Sequence, residues 1–61
     1  MAVPKDPVIL LSYINTKLRD YYSDLDSLCD GLDIDKQSLI EKLASINYVY
    51  DAEKNCFNRI K

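Results

Sequence analysis

Apolar residues recur at three- and four-residue spacing as far as Ile46, and past Asn47 the pattern switches to strand chemistry in Tyr48, Val49 and Tyr50. A chain that changes period once, this late, has room for helices first and a single pair of strands last. With 61 residues it is one domain, close to the size at which a lone core barely holds together, so nearly every large apolar side chain has to contribute. The 48% apolar content, one glycine and two prolines are those of a globular chain rather than a disordered one.

Met1 to Lys5 reads as a flexible arm, and residues 6–22 as the first helix. Asp6 can cap free amides there while Pro7 supplies a pre-set φ at the first helical position. Leu10, Leu11, Ile14, Leu18, Tyr21 and Tyr22 then form one broad apolar face. Ile9 and Tyr13 lie off that face, one turn apart. With Lys17 and Arg19 they make the candidate surface for a protein partner or a second copy. The polar run Asn15, Thr16, Lys17, Arg19 and Asp20 reads as the wet side of the same helix.

Ser23 with Asp26 gives a capping-box start for a second helix over residues 24–31, which turns Leu25, Leu28 and Cys29 inward. Gly31 is expected to end it at positive φ, with Leu32 just beyond. Asp35 caps a third helix over residues 35–46, and Ile34 and Leu39 stand at the spacing of a hydrophobic staple. Leu39, Leu43 and Ile46 form its inner stripe, Ile40 lies at its edge, and Gln37, Ser38, Glu41, Lys42 and Ser45 face out. Asn47 can take the left-handed conformation that closes such a helix.

Residues 48–60 read as a β-hairpin with turn material from Asp51 to Asn55. A four-residue loop sets Tyr48 opposite Phe57, whereas a five-residue loop sets Val49 there and turns the tyrosines outward. The first arrangement is favoured because it buries more aromatic area. The expected fold class is therefore mainly α with a C-terminal β-hairpin: a small three-helix, helix-turn-helix, winged-helix-like domain.

That order of elements brings DNA into consideration, with Lys36, Gln37, Ser38 and Lys42 facing bases or phosphates and Lys54, Arg59 and Lys61 on the wing. Charge opposes it. From Ser23 to Ile46 six acids outweigh two lysines, for a net −4, while the rest of the chain carries +2. Affinity for a polyanion comes from lysine and arginine neutralising phosphates, so nucleic acid is the disfavoured alternative to a protein partner or self-association.

The aspartates between Asp24 and Asp35 do not fit a calcium loop, because Leu28, Ile34 and Gln37 occupy ligand positions once Gly31 is placed at the turn. Their simpler role is helix capping and a solvated acidic surface. The sequence contains no histidine to serve as a general base, no phosphate-cradling glycine loop and no evidently activated nucleophile, which argues against an enzyme and against any cofactor. Cys29 and Cys56 lack zinc-ligand spacing and read as reduced thiols. No apolar run approaches the roughly 18 residues of a membrane span, and the N-terminus lacks the layout of a secretory signal, so the expected location is the cytoplasm.

Pro4, Asp6, Pro7, Leu10, Leu11, the run Asn15 to Asp20, Tyr22, Leu25, Leu28 and Cys29 stand in an arrangement that continues through Leu43 to Tyr48, Tyr50, Asn55 and Phe57. In these residues the chain resembles a family of very short bacterial proteins known only as a domain of unknown function. The resemblance implies a complete free-standing bacterial protein and carries over no activity, ligand or catalytic residue. Its weight on Asn15 to Asp20 points to helix 1 rather than the turn motif as the working surface, with a buried or helix-capping role for Asn15 and Arg19 as the structural account of the same residues.

Overall fold

The computed structural model describes residues 4–60. Three helices, α1 (Pro7–Asp20), α2 (Leu25–Leu32) and α3 (Lys36–Ala44), precede an antiparallel hairpin of β1 (Tyr48–Asp51) and β2 (Cys56–Arg59). Residues 1–3 of the expected arm, and Lys61 of the expected wing, lie outside the described residues.

Each helix begins where a carboxylate can accept orphan backbone amides. The Asp6 carboxylate accepts from the Val8 and Ile9 amides at 2.8 and 3.4 Å, with Pro7 opening the helix. At α3, Asp35 accepts from the backbone and hydroxyl of Ser38 at 2.9 and 2.8 Å. The start of α2 differs from expectation by one residue: Asp24, not Ser23, is the cap, and it accepts from the Ser27 amide at 2.7 Å. A charged acceptor makes the stronger hydrogen bond, and Asp26 is drawn away from any reciprocal box by Lys36.

The end of α2 also departs from expectation. Gly31 lies inside the helix at ordinary φ, and the left-handed residue is Asp33, at φ 55°. What crowds position 31 is a side chain rather than the backbone. The Tyr22 ring lies so close that a Cβ there would meet its edge and hydroxyl at 2.6 Å. Asn47, at φ 66°, takes the left-handed turn expected of it after α3.

Leu10, Ile14 and Leu18 from α1, Leu25, Leu28 and Cys29 from α2, Leu39 and Leu43 from α3, and Phe57 from β2 form one buried cluster. Tyr13, Tyr22, Tyr48 and Tyr50 pack around it, half-buried. Tyr21 does not join them and is 71% exposed. The helix stops at Asp20, and Tyr21, as its C-cap at φ −127°, turns its side chain outward.

The hairpin pairs Tyr50 with Phe57 and Tyr48 with Arg59 around a loop over residues 52–55. The partner expected for Phe57 was Tyr48, so the register is offset by two residues. An offset of two leaves every side chain on its expected face, which is why the tyrosines and Phe57 still face the core together. The Tyr50 and Phe57 rings lie 5.6 Å apart in a tilted contact.

What attaches the hairpin to the helices is a pair of asparagines. The Ile60 amide donates to the Asn47 carbonyl at 2.7 Å, so along this ladder Tyr50 and Phe57 form a non-hydrogen-bonded pair, and the Phe57 N–H and C=O point away from β1. Asn15 meets both: its Oδ1 accepts the Phe57 amide at 2.8 Å and its Nδ2 donates to the Phe57 carbonyl at 3.2 Å. The side chain thus acts as a one-residue strand. Asn55, left-handed at φ 53°, donates through Nδ2 to the Leu18 and Tyr22 carbonyls at 3.1 and 3.0 Å, and its Oδ1 accepts the Tyr50 hydroxyl at 2.6 Å. Since Asn55 meets the end of α1 and Phe57 meets its middle, β2 runs antiparallel to the helix.

Two outcomes follow from this packing. Asn15→Leu, which strips both partners from Phe57, lowers the unfolding free energy by about 2 kcal/mol or more in urea titration, where a surface change would stay within about 0.5 kcal/mol. Gly31→Ala is less favourable in the parent than in a Tyr22→Ala background by about 1 kcal/mol or more, because only without the ring does alanine deliver its helix propensity.

Candidate functional site

The exposed surface of α1 divides into two sides flanking its buried stripe. On one side Ile9, Tyr13 and Lys17 follow each other at four-residue spacing, so three of the four residues expected as a partner surface do fall together. Ile9 is 58% exposed, while Tyr13 packs against the core. The Lys17 ammonium sits 5.3 Å from the Tyr13 ring centre and 4.7 Å from that of Tyr21, which extends the stripe beyond the helix. Arg19 is not part of it. At about 100° per residue it lies on the far side from Lys17. There it forms a two-point pair with Asp20 at 2.9 and 3.0 Å, and its hydrogen bonds hold the Asp20 carboxyl below its ordinary pKa. Both partners are exposed, so the buried or capping role considered for Arg19 is not what the fold gives it.

The other side of α1 faces the hairpin across an open groove of about 800 Å³. Val8, Leu11 and Tyr48 line its apolar end, and Arg19 and Lys54 line the opposite end. The antiparallel run of β2 explains this polarity. Asn55 anchors the loop that carries Lys54 to the C-terminal end of α1, and Tyr48, paired with Arg59 further along β2, falls beside the helix start. Ser12, Thr16 and the half-buried Cys56 line the groove as well. Asn15, expected on the wet side of α1, is instead half-buried and spends both ends of its amide on Phe57. Periodicity reports faces, not hydrogen bonds between residues 42 positions apart, so the only sequence signal was a short amide on the flank of an apolar stripe.

The outer face of α3 carries the residues considered for nucleic acid. Lys36 is held by Asp26 at 2.7 Å, Gln37 donates to Glu41 at 3.0 Å, and the Ser38 hydroxyl donates to Asp35 at 2.8 Å. Three of the four residues considered there are thus occupied by a carboxylate of their own chain, and Lys42 is not. Lys42, Lys54 and Arg59 are exposed, and among the described residues none of the three has an ion pair. The Ser27 amide holds the Asp24 carboxyl below its ordinary pKa, and the Ser38 hydroxyl and amide do the same for Asp35.

Both thiols are free. Cys29 is buried, and its surroundings push its pKa up, while the Cys56 Sγ lies 3.4 Å from the Asn58 Oδ1. Among the described residues no group of three or more histidine, cysteine or acidic side chains is placed to hold a metal ion, and no helix is long and apolar enough to cross a membrane.

These features define a small three-helix domain closed by a two-stranded hairpin, with its open surface along α1. The family model described as Domain of unknown function (DUF4250) matches residues 4–57, and the chain belongs to that family. No curated protein and no solved structure matches it.

The depressed carboxyls have a signed consequence. A cap whose folded pKa lies below its unfolded value of about 3.9 stabilises the fold above that pH and loses its contribution as pH falls through the folded value. The stability gap between the parent and Asp35→Ala, followed by urea titration, is therefore constant near neutrality and narrows below about pH 4.

Proposed function

We propose that this protein is a non-catalytic binding module of the cytoplasm that docks a protein partner through the open side of α1. The observation that carries this reading is the groove between α1 and β2, whose volume of about 800 Å³ falls within the ordinary range of binding clefts. Val8, at its rim, is 64% exposed, and the neighbouring Ile9 is 58% exposed on the other side of the helix, so the start of α1 offers apolar surface in two directions. The absence of histidine from the sequence supports binding over catalysis. Self-association through Ile9 and its neighbours is the same reading with a second copy as partner.

The helix-turn-helix, winged-helix-like reading, with α3 in a DNA groove, has less behind it. Lys36, Gln37 and Ser38 would each have to leave a carboxylate to reach DNA, and residues 23–46 carry a net −4.

A photo-crosslinking side chain placed inside living cells at Thr16, in the groove, or at Glu41, on α3, separates the two. Protein adducts form from position 16 and not from 41, and Ile9→Asp leaves them intact unless the partner also grips the second side of α1. Adducts from position 41 alone would overturn the reading. In parallel, the purified protein shows no salt-sensitive binding to mixed-sequence duplex tighter than about 10 µM.

A further inference from the structure

We infer that the occupant of the α1–hairpin groove is an extended segment of another protein that carries an acidic residue at one end and a bulky apolar residue at the other. This rests on the docking role of the groove and names the chemistry it selects. Among the described residues, two that line the groove are charged, and both are cations, Arg19 and Lys54. The chain as a whole is acidic, at −2, yet the groove is built from the segments outside residues 23–46, which together carry +2. The acids of residues 23–46 thus lie outside the groove, whose own charged lining is Arg19 and Lys54.

Arg19 remains able to bind although it pairs with Asp20. That pair uses Nε and Nη2, and a guanidinium has five N–H donors, so three stay available to a ligand carboxylate. Lys54 has no ion pair among the described residues and sits on the same end, brought there by the anchoring of Asn55 to Leu18 and Tyr22.

The other end is apolar, with Val8, Leu11 and Tyr48. From Val8 to Arg19 the helix rises about 16 Å, the length of about five residues of extended chain. A strand cannot extend the sheet at Phe57, because Asn15 already holds that edge. Recognition therefore falls to side chains: a carboxylate on Arg19 and Lys54, and an apolar anchor about four or five positions away.

The test is selection of a displayed random heptapeptide library on the intact protein and on an Arg19→Glu/Lys54→Glu variant whose fold is verified by its amide spectrum. Enriched peptides carry Asp or Glu four or five positions from a large apolar residue. They bind the charge-reversed variant at least about tenfold more weakly, because like charges now face each other. Enriched peptides without acids, or equal binding to the variant, would overturn acid recognition while leaving the groove a docking site. A lack of any enrichment, together with no adduct from position 16, would remove both. Salt-sensitive dimers of the free protein that vanish in the variant would make a second copy the occupant, and would overturn this inference.

Discussion

Asn15 gripping both backbone groups of Phe57 is the contact on which the rest of this fold is hung. A two-stranded hairpin has no independent stability in water, and its outward edge offers unpaired N–H and C=O groups. By meeting that edge with a side-chain amide, α1 fixes the position of β2 along its length and delivers the Phe57 ring into the core. Asn55 repeats the device at the helix end, where it also occupies a carbonyl that α1 cannot satisfy by itself. The groove runs along the same contact: Asn15 lines it, with Val8 and Leu11 in one direction along the helix and Arg19 in the other.

The parts of the structure that were legible in the sequence are those governed by neighbours. Asp6 with Pro7, Asp35 with its staple pair, and the inward leucines of all three helices act within one or two turns, so spacing alone displays them. Ser23 and Asp24 are both good caps, and only the stronger acceptor settles between them. Gly31 was visible as an exception in a chain with one glycine, but what packs against it is the Tyr22 ring nine positions back, which local conformation does not report. The hairpin faces followed from alternation, whereas the partner of Phe57 depended on where the four-residue loop begins and came out two residues away. The asparagine contacts span 42 and 37 positions, and no periodicity carries such information.

This bears on how the family resemblance is understood. Asn15, Tyr50, Asn55 and Phe57, four of the residues through which the chain resembles its relatives, are the ones that tie the hairpin to α1. Asn15 therefore has structural work that uses its whole side chain. Arg19, in the same run, has no such work beyond a surface pair, and it lines the groove. The run Asn15 to Asp20 thus combines one residue that builds the cleft with one that faces into it. In residues 23–46, by contrast, Asp24 and Asp35 cap helices and Asp26 restrains Lys36.

Native-state hydrogen exchange at the Phe57 amide tests the central claim most directly. Its N–H faces away from β1, so without Asn15 it would exchange as an open edge, whatever the stability of the remaining core. If the asparagine contact governs the fold, this amide belongs to the slowest class and exchanges together with Ile14 and Leu18 of α1. Rapid exchange at Phe57 while those helix amides stay protected would show that the hairpin opens on its own, and that the contact is incidental.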